Sequence, residues 1–365
     1  MPHKINNFMT KVHNFSAGPG ILPEEVLKAS AEAIHNFSGM NLSLLEISHR
    51  DKKYVDVMDE ARALSKKLLG VGDDYEALFL GGGASLQFCM VPYNLLPVGG
   101  SAAYLKTGTW ASNAVKEAKL FGETKVVASS EDKNFNYIPK NYEIPADAAY
   151  FHVTSNNTIF GTQLKEFPHS NIPLVCDMSS DMYSRKVDGN KFALIYAGAQ
   201  KNMGPAGSTL IVVRKDMLGK TGRQIPSMLD YNVHIKGESM YNTPPVFPVF
   251  VSLLTMRWLD KNGGVEWIEK LNNEKATLLY NEIDRNTLFK GTVAKEDRSY
   301  MNACFVCEKP ELEVEFEKLA KEANLYGLKG HRSVGGFRAS IYNAMPIESV
   351  KVLVDVMKTF EQKFA

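Results

Sequence analysis

The run Tyr196-Ala-Gly-Ala-Gln-Lys201-Asn-Met-Gly-Pro-Ala-Gly-Ser208 places a lysine between a hydrophobic segment and a turn rich in glycine and proline. Residues 193–197 have the apolar pattern of a buried strand. Ligands of open α/β sheets bind at strand ends, so Lys201 is predicted to lie at a ligand site. A desolvated lysine has a lowered pKa, and its neutral amine can attack a carbonyl. Lys201 is therefore a candidate imine-forming lysine, and a solvated loop lysine is the alternative.

An aspartate ends the preceding predicted strand, Ile172-Pro-Leu-Val-Cys-Asp177, 24 residues before Lys201. A carboxylate and an amine at two strand ends suit pyridoxal phosphate. The acid would keep the pyridine nitrogen protonated, and the lysine would carry the aldehyde as an imine. A helix-capping or turn aspartate is the alternative interpretation of Asp177.

A glycine-rich turn, Gly81-Gly-Gly-Ala-Ser85, follows a predicted strand and precedes a predicted helix. The backbone amides and the helix dipole at such a junction favour phosphate. Strand and helix patterns alternate from residue 76 to residue 214, and one of the predicted helices spans residues 112–121. This alternation predicts an α/β fold with a mostly parallel mixed sheet flanked by helices.

Composition and charge give no sign of a nucleic-acid or membrane partner. The chain has 42 Lys and Arg against 41 Asp and Glu, so nothing suggests a nucleic-acid partner. No apolar run approaches 18 residues, and the N-terminus lacks a secretory apolar region, so neither a membrane span nor a signal peptide is expected. A cytoplasmic location is expected.

Two of the four cysteines, Cys304 and Cys307, have CxxC spacing. They lie in a predicted strand, where residues three apart point to opposite faces. No second Cys or His pair accompanies them, so no metal site is predicted. Four cysteines without a paired pattern suit a reducing compartment.

Eight motifs occur in order along nearly the whole chain, and together they are far more specific than any one of them. They are Asn14-Phe-Ser-Ala-Gly-Pro-Gly20, Glu46-Ile-Ser-His-Arg50, Gly81-Gly-Gly-Ala-Ser-Leu-Gln-Phe88, Thr107-Gly-Thr-Trp-Ala111, Asp177-Met-Ser-Ser180, Gly198-Ala-Gln-Lys-Asn-Met-Gly-Pro-Ala206, Tyr241-Asn-Thr-Pro-Pro245 and His331-Arg-Ser-Val-Gly-Gly-Phe-Arg-Ala-Ser-Ile-Tyr-Asn343. On these motifs the chain resembles the phosphoserine aminotransferase family, class V aminotransferases of fold type I that use pyridoxal 5′-phosphate.

The resemblance implies a role for each residue around the cofactor ring. Lys201 matches the lysine that carries the cofactor and moves the proton, and Asp177 matches the partner of the pyridine nitrogen. Trp110 would stack on the ring, although an ordinary core tryptophan is the alternative. Thr158 would hydrogen-bond the phenolic oxygen of the cofactor.

The resemblance also implies how the cofactor phosphate is held. The matching residues of the same chain are Ala84, Ser85, Ser179 and Gln200. Asn242 and Thr243 match residues that reach the phosphate of the neighbouring subunit, which implies a homodimer. Some relatives carry arginine where this chain has Ser85, so here the phosphate would depend on amides and hydroxyls.

The family transfers an amino group from L-glutamate to 3-phosphohydroxypyruvate in serine biosynthesis, and pyridoxine biosynthesis is a further possibility. Both substrates are anionic, and arginine binds carboxylate and phosphate as a fork. The residues matching the family's substrate-binding cations are His49, Arg50, His331, Arg332 and Arg338. Taken singly, each arginine has an ordinary surface residue as its alternative.

A predicted division into parts follows from length and composition. The 365 residues exceed the usual size of one core. The composition changes at residues 260–264, so we expect a large cofactor-binding domain over 20–262 and a smaller α+β domain over 263–365. Residues 1–19 are expected to pack with the small domain, and about ten of them extend beyond the family's usual start.

Two other functions remain open at this point. Another transaminase or a desulfurase would share the fold, but a desulfurase needs a mobile catalytic cysteine. Cys89 falls in a predicted helix and Cys176 inside a predicted strand. A non-catalytic anion-binding α/β protein would use the glycine turn at 81–83 and would have no need of Lys201.

Overall fold

The computed structural model describes residues 11–365 of the chain. Its strands are β1 (His13–Asn14), β2 (Tyr75–Leu80), β3 (Ser101–Lys106), β4 (Glu123–Ser129), β5 (Phe151–Thr154), β6 (Leu174–Asp177), β7 (Leu194–Gly198), β8 (Thr209–Arg214), β9 (Phe289–Gly291), β10 (Asn302–Cys307), β11 (Leu325–Tyr326) and β12 (Phe337–Ser340). Its α-helices are α1 (Glu24–His35), α2 (Lys52–Leu69), α3 (Gly83–Leu95), α4 (Thr109–Ala118), α5 (Tyr231–Lys236), α6 (Val246–Lys261), α7 (Gly264–Arg285), α8 (Glu313–Glu322) and α9 (Ile347–Phe364).

Strands β2 to β8 form one seven-stranded sheet, in which they follow the order β2-β8-β7-β6-β5-β3-β4. Strands β4, β3, β5, β6 and β7 are parallel to one another, whereas β8 is antiparallel to both β7 and β2. The predicted mostly parallel mixed sheet is therefore confirmed. Because adjacent parallel strands end at the same edge, the residues that follow β5, β6 and β7 are brought together.

Helices cover both faces of this sheet, which is why strands β5 to β8 are almost entirely buried. Ala77 and Phe79 point towards α2 and α6, while Leu78 and Leu80 point towards α3 and α4. Val175 also faces α3 and α4. Since side chains alternate along a strand, Asp177 lies on that same face, two residues beyond Val175.

A second apolar core joins α7, α8 and α9 to the three-stranded sheet β12-β10-β9. The N-terminal segment contributes to it: Phe15 is fully buried there, and β1 pairs in parallel with β11. The expected packing of residues 1–10 lies outside the described residues. Both cysteines of the CxxC pair lie in β10, so the predicted strand is confirmed. Both are free thiols.

Candidate functional site

Lys201 and Asp177 lie at the same edge of the large sheet, beyond two adjacent parallel strands. Strand β6 ends at Asp177, which is in register with Tyr196 of β7, and Lys201 follows the end of β7 by three residues. Burial lowers the pKa of Lys201 to about 8, Asp177 opposes this shift, and Arg338 adds to it. The two groups are thus close enough for the charge of each to act on the other, and a sizeable fraction of the lysine amine is neutral near neutral pH.

The Asp177 carboxylate is fixed through one of its oxygens. Oδ1 accepts hydrogen bonds from the Ser179 amide at 2.9 Å and from the Ser179 hydroxyl at 2.6 Å. The Ser179 hydroxyl in turn accepts from the Gly198 amide at 3.1 Å. Burial raises the pKa of Asp177, and the Ser179 hydrogen bonds and Lys201 oppose that rise. All side-chain hydrogen bonds of this carboxylate within residues 11–365 are made by Oδ1, which leaves Oδ2 for a ligand.

Three other residues with predicted roles lie around the Lys201 amine. Its Nζ donates to Thr158 Oγ1 at 2.8 Å and lies 5.9 Å from the centre of the Trp110 ring. Arg338 Nη1 donates to the Thr158 carbonyl oxygen at 3.1 Å. The structure therefore brings together an amine, a hydroxyl, an indole and a guanidinium that come from four separate segments.

Trp110 lies on the first turn of α4 because that helix starts earlier than the sequence indicates. The predicted helix, residues 112–121, is wrong by three residues at each end, since α4 spans Thr109–Ala118. The turn before it is tight: a Cβ at Gly108 would come within 2.6 Å of Asn157 Oδ1. Threonine and tryptophan are modest helix formers, so local propensity did not indicate the true start.

Several buried polar atoms around this edge of the sheet have no partner in the described part of the chain. They are Trp110 Nε1, Thr107 Oγ1 and Thr154 Oγ1. Thr154 is the register partner of Asp177, and Thr107 follows the end of β3. Buried polar groups are normally hydrogen-bonded, so an edge with several orphans indicates that a polar ligand belongs there.

The glycine turn forms the N-terminus of α3, as predicted. Gly82 has a φ of +90°, and a Cβ there would come within 2.4 Å of the Leu86 side chain. This position therefore requires glycine. Ala84 is half-buried and Ser85 is exposed, so the Ser85 hydroxyl and the first amides of a 13-residue helix are open to an anion.

The other two predicted phosphate ligands lie nearer to the acid and to the lysine. The Ser179 hydroxyl is engaged by Asp177 and Gly198, and the Gln200 side chain packs against Gly198. Binding of phosphate by Ser179 stays a prediction, and its observed contacts favour a role on the acid.

Asn242 and Thr243 are exposed on the single chain, as is Tyr241 before them. With Gly81 and Gly82 of the same chain they line a cavity of about 480 Å³. Their reach into a neighbouring subunit stays a prediction.

The predicted substrate cations form two groups. Arg338 joins the lysine site through Thr158, and the Val334 side chain packs the loop of His331 and Arg332 against Phe160. Burial, together with Arg338 and Arg332, lowers the pKa of His331.

The second group precedes α2. His49 is buried with its Nε2 atom lacking a partner among residues 11–365, whereas Arg50 is exposed. Arg50 belongs to this second group and Arg338 to the first, and their joint action on one substrate stays a prediction.

Sequence reasoning missed Thr154 and Asn202. Asn202 donates to the Ser180 carbonyl at 3.1 Å and accepts from the Asn343 amide at 3.0 Å. It thereby ties the segment after Lys201 to the turn after Asp177 and to the end of the chain's last long motif. The three residues belong to three of the eight motifs, so the sequence indicated that each matters. Their pairing could not be predicted, because it depends on the fold.

Comparisons with known proteins place the chain in a family. The sequence model of the class-V aminotransferases matches residues 12–353. The phosphoserine aminotransferase of Flavobacterium psychrophilum is 66% identical over 354 residues, which cover 97% of this chain and 99% of the relative. The chain belongs to the phosphoserine aminotransferase family of class-V aminotransferases. The fold of this aminotransferase is similar to solved structures as well.

Two solved structures illustrate that similarity. Phosphoserine aminotransferase from Bacillus circulans subsp. alkalophilus superposes with a TM-score of 0.94 at 45% identity, covering 97% of this chain and 99% of that chain. The enzyme from Trichomonas vaginalis, described as bound to pyridoxal phosphate, has a TM-score of 0.91 at 37% identity and covers 95% and 100%.

The cofactor of this aminotransferase is pyridoxal 5′-phosphate. The residues present fit it. An acid with one uncommitted oxygen, a buried amine, an indole with a free N–H and a glycine-flanked helix N-terminus all lie at one sheet edge. Within residues 11–365 there is no cluster of His, Cys, Asp or Glu that could hold a metal, nor any helix long and apolar enough to cross a bilayer.

Removing the Ser179 hydroxyl tests whether it acts through the acid. Ser179→Ala is expected to lower kcat/KM roughly tenfold, because a buried acceptor that loses a partner costs about 1–3 kcal/mol. The Ser179 bonds hold the pKa of Asp177 down, so the variant raises that pKa. Because the ionised acid is the active form, the acid side of the pH–rate profile moves to higher pH.

Ser179→Thr, which keeps a hydroxyl, is the control and is expected to retain the wild-type profile. A Ser179→Ala enzyme that loses affinity for the cofactor but keeps its pH profile would instead identify Ser179 as a phosphate ligand.

Proposed function

We propose that this aminotransferase converts 3-phosphohydroxypyruvate and L-glutamate into O-phospho-L-serine and 2-oxoglutarate, a step of serine biosynthesis. The observation that carries the proposal is the Lys201–Thr158–Arg338 contact, which sets an amine of lowered pKa beside a fixed cation. An amino-group transfer between anionic substrates needs both.

Lys201 would hold the cofactor and then move the proton. When bound, the cofactor supplies an aromatic aldehyde that accepts the electrons of the substrate Cα–H bond. With a pKa near 8, the displaced Lys201 amine would be able to take the α-proton of the substrate and to release it to the cofactor carbon on the other side of the imine nitrogen. Because the cofactor would keep the amino group on the enzyme after the first product leaves, double-displacement kinetics are expected.

Asp177 and its neighbours would orient the ring. The ionised Asp177 would keep the pyridine nitrogen protonated through Oδ2, while Ser179 fixes Oδ1. Trp110 would stack on the ring, which contributes about 0.5–1.5 kcal/mol beyond burial. Thr158 Oγ1, which accepts from Lys201, would be freed to meet the phenolic oxygen when the amine is engaged.

The cofactor phosphate would lie at the N-terminus of α3. The amides of Ala84 and Ser85, the Ser85 hydroxyl and the Gln200 side chain are the proposed ligands. The positive end of the α3 dipole would attract the phosphate in place of the arginine that some relatives carry at the position of Ser85.

The substrate phosphate and carboxylates would bind the cationic residues. Arg338, His331, Arg332, His49 and Arg50 are the proposed set, and the hydrogen bond of Arg338 to the Thr158 carbonyl supports its inclusion. Each charge-assisted bond contributes about 1.5–3 kcal/mol, so each arginine is expected to affect KM about tenfold or more.

The decisive experiment compares substrates on the purified holoenzyme. We expect glutamate with 3-phosphohydroxypyruvate to give the highest kcat/KM, and alanine or cysteine as amino donors to be poor. Equal rates with hydroxypyruvate, which lacks the phosphate, would refute the assignment of a phosphorylated substrate. Release of sulfide from cysteine would indicate a desulfurase, and an enzyme that binds no cofactor would indicate the anion-binding alternative. The same assay tests 4-phosphohydroxythreonine, the product of a pyridoxine-pathway transamination.

We also propose that the enzyme is a homodimer in which Asn242 and Thr243 reach the cofactor phosphate of the neighbouring site. Their exposure on the single chain supports this, as does the 50% exposure of Tyr241 beside them.

Hybrid dimers test this sharing of the site. Lys201→Ala alone and the Asn242→Ala/Thr243→Ala double variant alone are both expected to be nearly inactive. After co-refolding in equal amounts, half of the dimers are hybrids with one intact site, so about a quarter of wild-type activity should return. No recovery, with hybrid formation verified by native mass spectrometry, would show that these residues serve their own subunit.

The predicted parts of the chain are proposed with the same boundaries: residues 1–19 on the small domain, a large domain over 20–262 and a small domain over 263–365. The burial of Phe15 among side chains of α7–α9 supports the first of these. A cytoplasmic location is proposed as well, supported by four free thiols.

A further inference from the structure

A cavity of about 630 Å³ is lined by residues 138–142, 144, 163–169 and 296–297, and none of the predicted site residues lines it. We propose that Lys165, on the wall of this cavity, is a second imine-forming lysine, which takes a small uncharged aldehyde. The site is separate from Lys201 and has no role in the amino-group transfer.

The Lys165 amine is held by neutral groups. Its Nζ lies 3.2 Å from the centre of the Tyr300 ring and donates to Gln163 Oε1 at 3.2 Å. Among residues 11–365, no carboxylate lies within ion-pair distance of it. The ring face and the amide oxygen favour the ammonium form only modestly, and the amine has no paired carboxylate among the described residues to offset its burial.

Burial is the main influence on the amine, and nearby charges act on it in both directions. Burial, followed by the Arg185 guanidinium, lowers the pKa of Lys165 to about 7, and the Asp181 and Asp297 carboxylates oppose this shift. The remaining titratable groups that line the cavity are Lys140, Tyr142, Glu166, His169 and Glu296. About half of the Lys165 amine is therefore neutral and nucleophilic at pH 7.

Lys140 provides a natural comparison inside the same cavity. Its Nζ lies 3.7 Å from Asp297 Oδ1 and 3.9 Å from Glu296 Oε1, so two carboxylates favour its charged form. Two lysines thus share one cavity, and only Lys165 has the surroundings of a nucleophile.

The walls select the kind of ligand. The side chains of Ile138, Tyr142, Ile144 and Phe167 make much of the lining apolar. Charged residues of both signs line the rest, so no surplus of cations favours an anion over a neutral molecule. A cavity of this volume is of the size that holds small organic ligands.

The covalent step is an ordinary condensation. The Lys165 nitrogen lone pair attacks the aldehyde carbon, and a C=N bond replaces the C=O bond. The carbonyl oxygen leaves as water with the two hydrogens of the neutral amine, so nothing is oxidised or reduced.

The test uses the holoenzyme, limiting propanal and cyanoborohydride at pH 7, followed by peptide mass spectrometry. Lys165 is expected to be propylated at least about tenfold faster than Lys140. An amine with a pKa near 7 has about 1,000 times the neutral fraction of an ordinary lysine, and restricted entry reduces this advantage. Propylation of Lys165 should level off above pH 8.

Two variants make the outcome decisive. Lys165→Met is expected to lose the fast adduct, and Lys140→Met is expected to keep it. Equal labelling of the two lysines, or slower labelling of Lys165 than of exposed lysines, would overturn the proposal. Reduction of the cofactor imine would also label Lys201, on a different peptide and with a different added mass. A failure to label Lys165 is therefore distinguishable from a failure of the proposed function.

Discussion

Lys201→Ala is expected to lower kcat by at least about 1,000-fold, with the fold of the enzyme retained. General acid–base catalysis alone is worth about 100- to 10,000-fold, and Lys201 is also the residue that holds the cofactor. The side chain is partly buried and its Nζ makes one hydrogen bond, to Thr158, so its loss should cost little stability. Steady-state rates and a thermal melt measure the two effects separately.

Two controls show whether the loss is chemical. Lys165→Met removes another lysine with a lowered pKa from outside the site, and its kcat is expected to stay near that of the wild type. Added methylamine should restore part of the activity of Lys201→Ala, because a free amine can move the proton. A Lys201→Ala enzyme with a tenth or more of wild-type activity would show that another base performs the transfer.

The sequence was a good guide to the residues whose position depends on one strand. Asp177 and Lys201 each follow an apolar run, and adjacent parallel strands must end at one edge, so their proximity followed from the pattern. The resemblance to a family added Thr158 and Trp110, whose contacts with Lys201 are now seen.

The sequence was a poor guide to contacts between distant segments. The Arg338–Thr158 bond joins residues 180 positions apart, and nothing local to either residue predicts it. The resemblance predicts that Ser179 binds the cofactor phosphate, which stays a prediction, and nothing in the sequence indicated that its hydroxyl also engages Asp177, two residues away. Lys165 was not among the predicted site residues, because its cavity forms only when three segments between residues 138 and 297 come together.

Asp177→Asn is expected to lower kcat by about 100-fold or more. Asparagine keeps the size of the side chain, and its oxygen can still accept from Ser179, so the turn should be preserved. It carries no charge, however, and cannot hold a proton on the ring nitrogen. Removing one partner of a buried ion pair costs about 3–5 kcal/mol, and each 1.4 kcal/mol is a factor of ten in rate.

Asp181→Asn is the matched control for a charge lost from the same turn. The Asp181 carboxylate accepts from Ser155 and Gln163 and lies 3.6 Å from Arg185 Nη2, so its loss should lower stability. It is expected to change kcat far less than Asp177→Asn does. Equal losses of kcat in the two variants would mean that the net charge of the turn, and not the acid itself, supports the reaction.

The double variant Asp177→Asn/Ser179→Ala then separates two explanations of Ser179. If Ser179 acts by keeping Asp177 ionised, its removal has little left to change once residue 177 is neutral, and the two effects on kcat will be strongly non-additive. If Ser179 binds the cofactor phosphate, the two losses will multiply. The coupling energy of this cycle, measured as the ratio of four kcat values, therefore decides which end of the cofactor Ser179 serves.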